Sequence, residues 1–212
     1  MKIAHVHRIS TIQKMKGNSN YSPAKKGNLE SAQKLVSEII CKYSLFEKLQ
    51  GFVCPVLKPS GNRIPLAFAQ LISSNSNGVL YDAVYLQHTP HGSSMAERLY
   101  YEPVFFGSVK PGNYIIVDDV YTTGQTLRRL KHYIESKGGN VTGAWCIGSG
   151  PSLAFEPTRL LLKLLLVKHH DITKYFEAEL LTVPQIHYLL RLSSINRLWH
   201  IHSDNQLKLL WA

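Results

Sequence analysis

Tyr114-Ile115-Ile116-Val117-Asp118-Asp119-Val120-Tyr121-Thr122-Thr123-Gly124-Gln125-Thr126-Leu127 is the stretch that decides how this chain folds. Its opening residues are apolar and β-branched, and Gly112-Asn113 precede them, which predicts a buried strand. Asp118 and Asp119 then fall at the carboxyl end of that strand, the edge at which open α/β sheets place their ligands. Carboxylates suit sugar hydroxyls or a hydrated Mg²⁺. Thr122, Thr123 and Thr126 offer hydroxyls, and Gly124 allows backbone N–H groups to curl toward a ligand with no Cβ in the way. Leu127, Leu130 and Ile134 follow at helical spacing, so the turn opens a helix whose N-terminus favours an anion. A sugar bearing a phosphate satisfies both halves. Either half alone is common, as an Asp-Asp strand end or as a helix cap; the unbroken junction is the specific feature.

The junction resembles the phosphoribosyl-pyrophosphate (PRPP) loop of type I phosphoribosyltransferases, where an apolar strand runs into Asp-Asp or Glu-Asp, two variable residues and Thr-Gly-x-Thr. The resemblance implies that fold: an open, mainly parallel twisted sheet flanked by helices. It implies that Asp118 and Asp119 face the ribose 2′- and 3′-hydroxyls, directly or through Mg²⁺, and that Thr122, Thr123, Gly124, Gln125 and Thr126 hold the 5′-phosphate. Members acting on 6-oxopurines usually carry Asp where this chain has Thr122, which argues against hypoxanthine or guanine as the acceptor.

Upstream, Gly51-Phe52-Val53-Cys54-Pro55-Val56 reads as a core strand, and Leu57-Lys58-Pro59-Ser60-Gly61-Asn62-Arg63 as a basic loop. The helix Ile64 to Ile72 follows, with Pro65 in its first turn. Strand, glycine-containing basic loop and helix start make a second anion cradle. By the resemblance this is the pyrophosphate loop, with Lys58, Ser60, Gly61, Asn62 and Arg63 as contacts and a cis peptide sought at Leu57-Lys58 or Lys58-Pro59.

Residues 1–27 contain the basic Lys14-Met15-Lys16-Gly17-Asn18-Ser19-Asn20, which reads as a mobile loop. Asn28 then caps an amphipathic helix expected to reach Lys48. Gly78 to Leu86 reads as a turn and one strand. Gln87 to Val104 is long and polar; in type I phosphoribosyltransferases a flexible lid occupies this position, and Arg98, His88 and His91 would reach the pyrophosphate from it. Ala96-Glu97-Arg98 also resembles a stretch of the competence-associated ComF-like branch, although the asparagine usual three residues beyond the arginine is Tyr101 here. Gly138-Gly139 ends the central helix, and Val141 to Ile147 supplies another strand. Beyond it the pattern is helical: Pro157-Thr158 opens a Leu-rich run, Thr182 to Gln185 matches a capping box, and Ser194, Ile195, Leu198 and Ile201 suggest a last helix. Two parts are therefore expected, an α/β core over 1–150 and a helical appendage over 151–212, serving either as the hood over a nucleobase or as a partner surface such as a homodimer contact.

The net charge is +10, and seven basic against five acidic residues in 151–212 leave +8 with residues 1–150. A polyanionic ligand suits that balance; nucleic acid is compatible with it, though a basic surface is not sufficient for nucleic-acid binding. No apolar h-region follows Met1, and the longest apolar run, Leu160 to Val167, is broken by Lys163, so a cytoplasmic protein with no membrane span is expected. Cys41, Cys54 and Cys146 read as buried thiols, and the ten histidines show no zinc spacing. The resulting expectation is a phosphoribosyltransferase that moves the phosphoribosyl group of PRPP, with Mg²⁺, onto a base nitrogen and releases pyrophosphate. Asp118, Asp119, Lys58 and Arg98 are its catalytic candidates. The alternative is a PRPP- or nucleotide-binding regulatory module, or a ComF-like nucleic-acid-associated one.

Overall fold

The computed structural model of the chain describes residues 6–40, 43–59, 61–87, 94–100, 102–149 and 156–195. Its strands are β1 (His7–Arg8), β2 (Gln50–Pro55), β3 (Asn77–Leu80), β4 (Val84–Leu86), β5 (Phe105–Gly107), β6 (Gly112–Tyr121) and β7 (Gly139–Ser149). Five of them form one sheet in the order β1-β7-β6-β2-β3, with every neighbouring pair parallel. The expected fold class, an open parallel sheet flanked by helices, is therefore present, with β6 at its centre.

The helices are α1 (Ile12–Lys16), α2 (Tyr21–Lys25), α3 (Leu29–Ile39), α4 (Ile64–Ser74), α5 (Met95–Tyr100), α6 (Gln125–Ser136), α7 (Arg159–Lys168) and α8 (Val183–Arg191). Period-two alternation sends Tyr114, Ile116, Cys54, Ala144 and Cys146 to one face of the sheet, where Leu127, Leu130 and Ile134 of α6 cover them. Ile115, Val117, Val53, Trp145 and Ile147 face the other way, onto α3 and α4 and onto Met15 and Ala24 of the two short helices. Burial on both faces is why β6 and β2 read as continuous apolar runs. Cys54 and Cys146 are buried free thiols, each pushed up to about 12, mainly by burial.

Several expectations are corrected. The loop expected over 14–20 contains helix: Thr11 caps α1, its hydroxyl accepting from Lys14 N at 3.2 Å, and Met15 and Ala24 anchor α1 and α2 in the core. The helix expected to reach Lys48 ends at Ile39; Ile40 leaves with φ −95° and ψ 99°, and Ile40 and Phe46 are both buried beyond it. The single strand expected in 78–86 is two strands in different sheets. Tyr81 N still pairs with Val53 O, but the Tyr81 hydroxyl donates to Ser108 O at 3.1 Å, and β4 beyond it pairs antiparallel with β5.

The contacts group the described residues into two units. One unit takes the described residues of 1–88 and 103–156, the other those of 89–102 and 157–195. The reason lies in α5, whose Ala96 and Leu99 are buried with Leu165, Ile172, Ile186 and Leu189 of the C-terminal helices. In that second unit Leu161 N donates to the Thr158 hydroxyl at the start of α7. The side-chain carbonyl of Gln185 accepts from both Thr182 N and the Thr182 hydroxyl, at 2.9 and 3.0 Å, with both residues buried. Gln185→Ala strands those two donors and is expected to cost about 1–3 kcal/mol, read as a lower melting temperature by far-UV circular dichroism. An unchanged melt would contradict the capping role. Of the expected last helix, Leu198 and Ile201 lie outside the described residues, as does Cys41. No helix among the described residues is long and apolar enough to cross a membrane.

Candidate active site

Local sequence sets the carboxylates. Val117 pairs with Pro55 on one side and Trp145 on the other, and β6 continues two residues past the expected end at Asp118-Asp119, to Tyr121, still paired with β7. Both carboxylates are buried, at 9% and 5% exposure. Asp118 Oδ1 accepts from Asp119 N at 2.8 Å and Asp119 Oδ1 from Val120 N at 2.9 Å.

Burial, reinforced by the neighbouring Asp119 charge, holds the Asp118 carboxyl well above its ordinary value of 3.8. Such a group keeps its proton in the folded chain at pH values where the unfolded chain has lost it, so it makes folding less favourable as pH rises from about 3.8 through the raised folded value. Asp118→Asn removes that cost and keeps the oxygen that accepts from Asp119 N. The variant is expected to melt above the wild type at pH 8, with the difference vanishing as pH falls toward 4; equal melting temperatures across that range would contradict it.

The turn after β6 is built as the sequence predicts. Gly124 has φ +81° and precedes α6 in the left-handed region, where glycine is at home. It has no side chain with which to cap the helix, and the Gln125 N–H donates instead to the Thr123 hydroxyl at 3.5 Å. Thr122 is exposed, Thr123 and Gln125 are buried, and Thr126 is half-buried. Arg128, one turn further on, pairs with Glu156 at 2.9 Å.

The loop after β2 meets β6 at Asp119. Asn62 Nδ2 donates to Asp119 Oδ2 at 3.1 Å, while Asn62 Oδ1 accepts from Ile64 N at 3.2 Å and so ties the loop to the start of α4. Gly61 has φ +86°, and the Arg63 guanidinium donates back to the carbonyls of Lys58 and Pro59, shaping the loop rather than lying extended. Lys58 is half-buried. No peptide bond among the described residues is cis, so Leu57-Lys58 and Lys58-Pro59 are trans; Leu57 O is engaged by Leu86 N at 2.7 Å. Ser60, His88 and His91 lie outside the described residues. Arg98 is on α5 in the second unit.

One residue was missed in the sequence. Lys25, at the end of α2, forms an ion pair with Asp119 Oδ2. Burial alone would lower the Lys25 ammonium; the Asp119 carboxylate outweighs it and leaves the group raised. The helix is held there by Arg63 N donating to Ala24 O at 3.0 Å. The local sequence held no signal for it, since Asn20 makes no side-chain cap to α2.

Among the described residues no group of three or more His, Cys, Asp or Glu is placed to hold a metal ion. The two carboxylates suit a Mg²⁺ that arrives with most of its shell supplied by a phosphorylated ligand and water. His169, one of the histidines, is buried with Nε2 3.0 Å from Leu189 O, a core contact.

No protein-family model matches the chain. It is 31% identical over 151 residues to Protein TraN of Escherichia coli, covering 66% of this chain and 34% of TraN. It is 33% identical over 127 residues to an uncharacterized protein of Haemophilus influenzae, covering 54% of this chain and 28% of that one. The chain thus spans about a third of the length of the curated relatives it matches. Similar solved structures are an orotate phosphoribosyltransferase from Aeropyrum pernix (17% identity, TM-score 0.35, 68% of this chain and 67% of that one) and an adenine phosphoribosyltransferase from Rhodothermus marinus (20%, 0.37, 61% and 72%). A hypoxanthine phosphoribosyltransferase from Staphylococcus aureus is a third (16%, 0.37, 68% and 78%).

Proposed function

We propose that the chain is a cytoplasmic phosphoribosyltransferase that binds PRPP with Mg²⁺ and transfers the phosphoribosyl group to a nucleobase-type nitrogen. The observation that carries this reading is the meeting of two anion loops at one carboxylate: Asn62, from the loop after β2, donates to Asp119 at the end of β6, which runs on into the Thr-Gly turn of α6. A sugar with phosphates at both ends, one at C1′ and one at C5′, matches two cradles with acceptors between them.

In this reading Asp118 and Asp119 accept from the ribose hydroxyls and fix the ring. Thr122 to Thr126 hold the 5′-phosphate, and the loop from Lys58 to Arg63 receives the leaving group. The acceptor nitrogen's lone pair forms the bond to C1′ while the C1′–O bond breaks toward pyrophosphate, through an oxocarbenium-like transition state, and the nitrogen's proton passes to water. Asp118 and Asp119 would hold a Mg²⁺ that enters with PRPP, and it would neutralise charge on the leaving group. Fixing the ribose between anchored phosphates is the chain's main contribution to rate.

The test is pyrophosphate release from PRPP and Mg²⁺ against a panel of purine and pyrimidine bases. Release with one base establishes the transferase and names its acceptor. PRPP binding without release from any base favours a second reading, a ligand-sensing module. One feature supports that reading specifically: both oxygens of Asp119 already take donors from the chain itself. Oligonucleotide binding that weakens steeply with salt, in the absence of PRPP binding, would move the nucleic-acid reading to first place.

A further inference from the structure

Asp119 accepts three donors from the protein: Val120 N on Oδ1, and Asn62 Nδ2 and Lys25 Nζ on Oδ2. A carboxylate offers about four acceptor positions, so little capacity remains for two ribose hydroxyls. A second acceptor position on Asp119 opens only if one of the three donors yields. Val120 N belongs to the β6 backbone, and Asn62 is fixed at its other end by Ile64 N. Lys25 is different. Its side chain keeps 34% of its surface in solvent, it sits on a flexible four-carbon stem, and it ends a helix of only five residues.

Where Lys25 can go is also defined. The end of α2 abuts the basic loop: Arg63 N bonds Ala24 O, and a Cβ on Gly27 would lie 3.5 Å from Gly61 O. The ammonium also shares Asp119 Oδ2 with Asn62, which belongs to the loop assigned to the leaving group. We propose that Lys25 is a displaceable counter-ion. It masks Asp119 in the free protein, and on substrate binding it transfers to the pyrophosphate while the ribose hydroxyls take its place on the carboxylate. The inference rests on the PRPP reading above. Its physical logic is that the Asp119 carboxylate repels an incoming polyanion, and a cation held on it offsets that repulsion until phosphate arrives to claim it.

The experiment is isothermal titration of PRPP, inorganic pyrophosphate and ribose 5-phosphate, each with Mg²⁺, into the full chain and its Lys25→Met, Lys25→Gln and Lys25→Arg variants. Lys25→Met is expected to weaken pyrophosphate and PRPP binding by about tenfold or more, the loss of one charge-assisted contact. Ribose 5-phosphate, which lacks the leaving group, should bind as well as to wild type or more tightly, because Asp119 is unmasked. Lys25→Arg should restore pyrophosphate binding. Lys25→Gln keeps a neutral donor for Asp119, so it supplies the same comparison if Lys25→Met melts near ambient temperature. Unchanged pyrophosphate binding in the Met and Gln variants would overturn the proposal while leaving the PRPP reading intact. Equal weakening of all three ligands would overturn it in favour of a purely architectural ion pair. Failure of the wild type to bind any of them removes the PRPP reading and this proposal together.

Discussion

Asp119→Asn is expected to lower phosphoribosyl transfer by at least about a hundredfold while leaving the fold in place. The carboxamide oxygen still accepts from Val120 N, so the end of β6 keeps its local bond. What is lost is the charge. The Lys25 ammonium and the Asn62 amide both converge on Oδ2 of Asp119, and an amide of either orientation cannot serve them and a ribose hydroxyl equally. Turnover with PRPP and circular dichroism on the same preparation separate the two effects. Native-like dichroism with lost activity is the expected pair; full activity would remove Asp119 from the site.

Gly124→Val is expected to damage both stability and phosphate binding. The backbone at Gly124 has φ +81°, a region that β-branched residues avoid, at a cost of about 1–3 kcal/mol. Sterics add to this, since a Cβ there would come within 2.5 Å of the Tyr121 hydroxyl and 2.6 Å of its ring, and Tyr121 is itself buried in the core. Relief means moving either the ring or the turn that presents the first N–H groups of α6. For a chain of this size, each kcal/mol lowers the melting temperature by about 2–4 °C. Thermal melts and ribose 5-phosphate affinity, measured together, should both fall. A variant that melts and binds like wild type would mean that the turn is not the phosphate cradle.

The part of the fold organised around β6 was legible because its signals are local. An apolar run, two carboxylates, a glycine and a helical repeat lie consecutively, and β6, the Gly124 turn and α6 follow them in order. The start of α4 at Pro65 and the Thr182–Gln185 cap were legible for the same reason. The misses are all long-range. Helices α1 and α2 have five residues each, too few for a periodic pattern, and they hold because Met15 and Ala24 reach a core assembled from other segments. Lys25 gains its significance only when α2 is placed against Asp119, and no property of residues 20–26 specifies that. Helix α5 reads as part of a polar connection until Ala96 and Leu99 find Leu165, Ile186 and Leu189. Tyr81, which separates β3 from β4, acts through Ser108 across the chain.

The most direct test of the central claim is isothermal titration of PRPP with Mg²⁺ into the wild-type chain and into Asp119→Asn. Saturable binding of one PRPP per chain is expected, weakened severely in the variant, because in the proposed reading Asp119 accepts the ribose between the two anion loops. Absence of PRPP binding by the wild-type chain, or equal affinity in both proteins, would contradict it.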